Sequence, residues 1–156
     1  MFTITKEMQR VRVQTSPDRF MAHYGSCDGI SAREYTIPLP DAESSVAVEI
    51  KILEPTKWPV RIRRFETHSA LEVIVTFDQP VVIVVKHQPV DFFEAFLIEP
   101  FTEVTILAEI LHGWILPVSA AKTRILVIYP VENEELLLEG EFSPPTIILP
   151  EGFSQE

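Results

Sequence analysis

The sequence predicts an all-β sandwich or barrel carrying one short N-terminal helix. Three observations lead there. Short runs rich in β-branched residues recur with period two. Pro55, Pro59, Pro80, Pro89, Pro100, Pro117 and Pro130 fall between those runs or at their ends, where a missing amide costs no ladder hydrogen bond. A single segment carries helix signals. Many short strands separated by turn residues are the pattern of a closed or double-layered β fold.

The helix comes first. Ser16 suits an N-cap, Pro17 the first helical position and Asp18 the positive end of the dipole. Phe20 and Tyr24 stand four apart on one face, and Gly25 is placed to end the helix in a left-handed conformation. Strands follow. Val46, Val48, Ile50 and Ile52 alternate with Ala47, Glu49 and Lys51, the pattern of a half-buried strand. Val60 and Ile62 alternate with Arg61 and Arg63, and Leu71, Val73, Val75 and Phe77 continue the period. Further strands are expected over 81–86, 95–98, 104–111 and 124–129. Residues 1–130 therefore read as one barrel domain. Residues 131–156 change character: Glu132, Glu134, Glu135, Glu139 and Glu141 make this segment acidic, and Pro144, Pro145 and Pro150 break it. Leu136–Leu138 and Ile147–Leu149 are its apolar pieces, suited to docking on the barrel or on a second subunit.

Composition narrows the function classes. With 156 residues and 46% hydrophobic content the chain buries a real core. A formal net charge of −10 disfavours nucleic acid and anionic membrane surfaces. Arg61, Arg63 and Arg64 nevertheless cluster, which keeps a small anionic ligand in play. Cys27 is the only cysteine, so neither an intrachain disulfide nor a thiolate metal cage forms. The N-terminus lacks the apolar core of a signal peptide, and the run Val81–Val85 is far too short to span a bilayer. A soluble cytoplasmic protein is expected, with a small molecule as its partner. No glycine-rich phosphate loop is present, and Ser16, Ser69 and Ser119 have no neighbouring base to make them nucleophiles.

The chemistry concentrates in Arg64-Phe65-Glu66-Thr67-His68-Ser69-Ala70-Leu71-Glu72. Alternate residues of a strand share a face, so Glu66, His68 and Glu72 lie on one side and Phe65, Leu71, Val73, Val75 and Phe77 on the other. Two readings follow: a solvated polar face over an apolar core, or a polar pocket inside a barrel whose outer face is covered. Carboxylates on either side of His68 would raise its pKa and fix its tautomer. His112 lies beside Trp114 in a later apolar run and reads as a core histidine by itself, or as a site residue when paired with His68. His23 and His87 read as surface or packing residues. Cupin barrels carry H-x-H-x(3,4)-E in one strand pair and a further histidine in a later pair. Glu66, His68 and Glu72 have that first spacing, with glutamate replacing the first histidine, and His112 stands where the later one would. Such a His/carboxylate set suits a first-row divalent metal.

Across nearly its whole length the sequence resembles the ureidoglycolate lyase family of cupins. The family's F-x-x-x-Y-G matches Phe20-Met21-Ala22-His23-Tyr24-Gly25, and its pair of prolines before a strand matches Pro55 and Pro59. Its L-E-x-H-P matches Phe65-Glu66-Thr67-His68-Ser69, its A-F matches Ala95-Phe96, and its G-V-x(6)-W-H-H aligns with Glu103-Val104 through Leu111-His112-Gly113. The resemblance implies a cupin-type double-stranded β-helix, a jelly-roll barrel that forms a homodimer and cleaves ureidoglycolate to glyoxylate and urea. It implies that Glu66, His68 and His112 line the pocket, with a histidine as base and Glu66 orienting it. Lys51 or a barrel arginine such as Arg63 would hold the substrate carboxylate, and Trp114 would contact substrate. Ser69, Leu111, Gly113, Glu103 and the strand end Val127–Pro130 depart from the family pattern. A shared barrel does not carry its chemistry with it, so a non-catalytic binding module and a metal-dependent enzyme remain beside the lyase.

Overall fold

The computed structural model describes residues 9–29, 46–87, 92–131, 135–140 and 142–153. Among them lie one helix and fourteen strands. In chain order they are β1 (Arg10–Gln14), α1 (Asp18–His23), β2 (Gly25–Gly29), β3 (Val46–Leu53), β4 (Val60–Arg61), β5 (Arg64–His68) and β6 (Glu72–Thr76). Then come β7 (Val81–His87), β8 (Phe92–Ile98), β9 (Thr102–Ile106), β10 (Leu111–His112), β11 (Leu116–Pro117), β12 (Thr123–Pro130), β13 (Glu135–Glu139) and β14 (Thr146–Ile148).

Antiparallel pairing is nested. β3 pairs with β12, β5 with β10, β6 with β9, and β7 with β8. With β10 and β11 taken as one interrupted strand, the first of eight therefore pairs with the last, the second with the seventh, the third with the sixth and the fourth with the fifth. That nesting folds the chain into two facing sheets, β5-β10-β7-β8 and β3-β12-β6-β9, which is the jelly roll of cupin barrels. The terminal segments extend it. β1 lies parallel to β8 and β14, β13 adds to β5, and β2 adds to β9.

The core sits in two layers. Between the sheets pack Ile74, Val81, Ile83, Val85, Phe96, Ile98, Val104, Ile106, Ile125 and Val127, closed at one end by Phe20 and Tyr24. Behind the β5-β10-β7-β8 sheet lies a second layer of Phe65, Val82, Val84, Ala95, Leu111, Phe142 and Ile147. β7 is buried on both faces, which accounts for an unbroken Val81–Val85 run in place of an alternating one.

Three local expectations change. Helix α1 ends at Tyr24, but Gly25 has no left-handed backbone; it opens β2. A Cβ there would stand 1.7 Å from the Thr105 carbonyl oxygen, so close backbone approach, not capping, requires the glycine. The strand expected over 104–111 breaks into β9 and β10, because the chain turns at Leu107–Ile110 with Glu109 at φ 67°. The run through Glu66 and Glu72 is also two strands. It leaves one sheet after His68 and enters the other at Glu72. No helix among the described residues is long and apolar enough to cross a membrane.

Candidate metal and acid/base site

The site forms where the two sheets open at one end. β5 contributes Glu66 and His68 from its inward face, since its alternate residues Phe65 and Thr67 are buried on the opposite side. The corner Ser69–Leu71 carries the chain across, so that Glu72 points inward from β6 together with Ile74. His112 arrives through register: in β10 it lies opposite Glu66 on one side and Val85 on the other. The Glu109 amide donates to the His68 carbonyl oxygen at 2.8 Å, fixing the β9–β10 turn against the end of β5.

Four side chains meet there. His68 Nε2 stands 3.6 Å from Glu66 Oε1 and 3.2 Å from Glu72 Oε2. His112 Nε2 stands 3.5 Å and 3.4 Å from the same two oxygens. The two rings lie 5.2 Å apart between centroids. Donor atoms of Glu66, His68 and His112 all fall within 4.8 Å of one another. His112 is only 3% exposed, and its Nδ1 donates to the Ile110 carbonyl at 3.2 Å. That bond places the remaining lone pair on Nε2 whenever the ring is neutral. Both Nε2 atoms are buried, and neither makes a hydrogen bond of proper geometry to the carboxylates.

Mutual attraction sets the charges. The Glu66 carboxylate, and after it Glu72, holds the His68 imidazole up at about 10. Burial lowers His112, but Glu66, Glu72 and the Ile110 carbonyl outweigh it and leave the ring at about 9. Burial would likewise raise Glu72, yet the two imidazoles bring it down to about 2. The His112 and His68 rings hold Glu66 well below the usual carboxylate range. Without an ion, two imidazoliums thus face two carboxylates at neutral pH. One divalent cation displacing two protons leaves the charge balance unchanged.

The donor set fits such an ion. Metal–ligand bonds of about 2.1 Å put neighbouring ligand atoms about 3–3.4 Å apart in octahedral or tetrahedral arrangements. The four histidine–carboxylate separations above need only a few tenths of an ångström of adjustment, and Glu72 lies outside the mutual group formed by Glu66, His68 and His112. A cleft of about 230 Å³ opens over Glu66, His68 and Glu72, and is walled by Glu49, Lys51, Val127, Tyr129 and Val131. Lys51 Nζ stands 3.9 Å from Glu49 Oε2. Glu49 also pairs with the Tyr129 hydroxyl and raises its pKa.

Of the residues singled out in the sequence, Glu66, His68, Glu72 and His112 come together and Lys51 lines the cleft. Arg63 and Trp114 are not part of its wall. Arg63 is exposed in the bend between β4 and β5. Trp114 is 62% exposed, because β10 ends at His112 and the inward alternation stops there. Glu49 and Tyr129 were missed. Their signal was the polar row Glu49 and Lys51 of β3, which faces the cleft beside Val127 and Tyr129 of β12 while the apolar row of β3 faces out. His87 is also more than packing. With Arg19, Tyr24 and Gln14 it surrounds the buried Glu94 on the far side of Val85.

The sequence matches no protein-family model and no curated protein. Among solved structures the fold is similar to a dTDP sugar isomerase from Desulfovibrio desulfuricans G20, at 9% identity and a TM-score of 0.47, covering 76% of this chain and 84% of that one. The cupin-like assignment rests on the nested strand pairing, not on this likeness.

Proposed function

We propose that the cleft is a divalent-metal centre and that the chain is a cupin enzyme acting on a small hydroxy acid, ureidoglycolate or a close relative. One observation carries the reading. Two buried Nε2 atoms stand 3.2–3.6 Å from two carboxylates without properly formed hydrogen bonds, and one ring has its tautomer fixed from behind by Ile110. Glu66, His68 and His112 hold the ion, with Glu72 as the fourth donor. When bound, the ion supplies Lewis-acid polarisation of a substrate oxygen. Lys51 takes the substrate carboxylate through a charge-assisted hydrogen bond, while Glu49 keeps its ammonium at the cleft wall. The substrate class comes from the motif resemblance at Glu66-Thr67-His68 and His112.

A second reading uses the same side chains without an ion as a carbon–nitrogen lyase. The raised imidazole pKa values favour it in one respect. At neutral pH His68 and His112 carry protons, so one of them protonates the departing urea nitrogen as the C–N bond breaks, while the ionised Glu66 or Glu72 carboxylate takes the proton of the substrate hydroxyl, whose oxygen becomes the glyoxylate carbonyl.

The test pairs two measurements on protein purified without added metal: metal content, and glyoxylate release from racemic ureidoglycolate by wild type and His68→Ala, each with and without chelator. One ion per chain, with turnover lost on chelation and in the variant, supports the metal enzyme. Turnover that survives chelation but not His68→Ala supports the metal-free lyase. No ion and no turnover would sink both, leaving a module that binds a different ligand.

A further inference from the structure

The acid/base site leaves one surface unexplained. Along β3 the outward row Val48, Ile50 and Ile52 is 60%, 65% and 61% exposed. Among the described residues β3 pairs with β12 along one edge and with no strand along the other. Edge strands are ordinarily protected by short length, bulges, proline or an outward lysine. β3 is neither short nor interrupted by bulge or proline: it runs eight residues in unbroken register with β12, and its one protective device is the charged pair Glu49 and Lys51, which turns into the cleft and which a second copy can match. A flat β-branched edge of that length is a template for another strand.

We infer that β3 joins two copies of this chain, paired antiparallel about a twofold axis through Ile50. Charge selects the register. With the axis at Ile50, Glu49 of each copy lies opposite Lys51 of the other, so both cross-strand pairs are attractive. Moving the axis to position 49 sets Glu49 against Glu49, and moving it to 51 sets Lys51 against Lys51. A one-residue slip throws the second barrel to the other face of the sheet. In the selected register Val48 meets Ile52, and Ile50 meets its own copy. The outward rows merge into a doubled band of β-branched side chains, in an interface that is isologous as a twofold requires. Within each copy Lys51 already stands 3.9 Å from Glu49, so the four groups form an alternating cluster. Because Glu49 and Lys51 also wall the cleft, Lys51 of the second copy comes to its rim.

Register-specific cross-linking tests this. Cys27 is the only native cysteine, so Cys27→Ser supplies a clean background. Adding Ile50→Cys puts two thiols opposite each other at a Cα separation of about 4.5–5.5 Å, inside disulfide range. Ile52→Cys leaves its thiols about 14 Å apart along the strands, whereas Val48→Cys with Ile52→Cys brings them opposite. The first and third variants oxidise to covalent dimers and the second does not. In sedimentation, Lys51→Glu weakens self-association at least tenfold, and Glu49→Lys combined with Lys51→Glu restores it. Ile52→Cys cross-linking as readily as Ile50→Cys would overturn the register. A wild-type monomer at all concentrations, with part of its own chain shielding Ile50, would overturn the interface.

Discussion

Glu94 offers a prediction that depends on burial and hydrogen bonding alone. It projects inward from β8, with its side chain only 4% exposed. Arg19 Nε donates to Oε1 at 2.5 Å and Gln14 Nε2 to the same oxygen at 3.2 Å. Tyr24 donates to Oε2, and His87 Nε2 lies 3.4 Å from it. Burial pushes the carboxyl up, but these partners more than offset it, taking the pKa from the ordinary 4.5 to about 2. A folded pKa below the unfolded one gives stability that is fully present above about pH 5 and is lost as pH falls toward 2. Between pH 7 and pH 3 this one group accounts for about 2 kcal/mol. Glu94→Gln has no charge to lose. It is therefore less stable than wild type at pH 7, and the gap narrows by about 2 kcal/mol at pH 3. Urea unfolding of both proteins at the two pH values reads this directly. An equal gap at pH 7 and pH 3 would refute the reasoning, since the network would then stabilise by shape and not by charge.

The other predictions concern the site and the two backbone positions. His68→Ala and His112→Ala each lower zinc affinity at least a hundredfold by titration calorimetry, while Glu72→Gln costs roughly 10–100-fold. Because imidazole ligands bind metal only when neutral, zinc binding releases protons and tightens as pH rises from 6 to 8. Calorimetry in buffers of different ionisation enthalpy checks this, and buffer-independent heats would contradict it. Gly25→Ala, whose Cβ meets the Thr105 carbonyl, destabilises by about 3 kcal/mol and shows as a lowered urea midpoint. Glu109→Gly relieves a left-handed backbone and raises stability by about 0.5 kcal/mol. A fall in Tm would contradict that.

The grouping of Glu66, His68 and Glu72 was legible in the sequence because strand parity is a local property: residues two apart share a face. Which face points inward is a global property. In β3 the parity was correct but the direction was not evident. Val48, Ile50 and Ile52 face outward, while Glu49 and Lys51 face the cleft. Likewise Trp114 shares His112's parity, yet it leaves the sheet because β10 lasts only two residues. Gly25 looked like a helix cap because local signals could not reveal the Thr105 carbonyl against it.

By itself, then, the sequence determined a β-rich chain, the placement of its strands and one acid-and-histidine run, since hydrophobic period and turn chemistry act over a few residues. Only the tertiary structure decided that His112 joins that run. It lies 44 positions after His68, and nothing local ties the two together. The β5–β10 register does so by setting His112 opposite Glu66 and closing four side chains around one centre. The same long-range pairing turned an ordinary alternating strand into the wall of a cleft and left its apolar row on the surface.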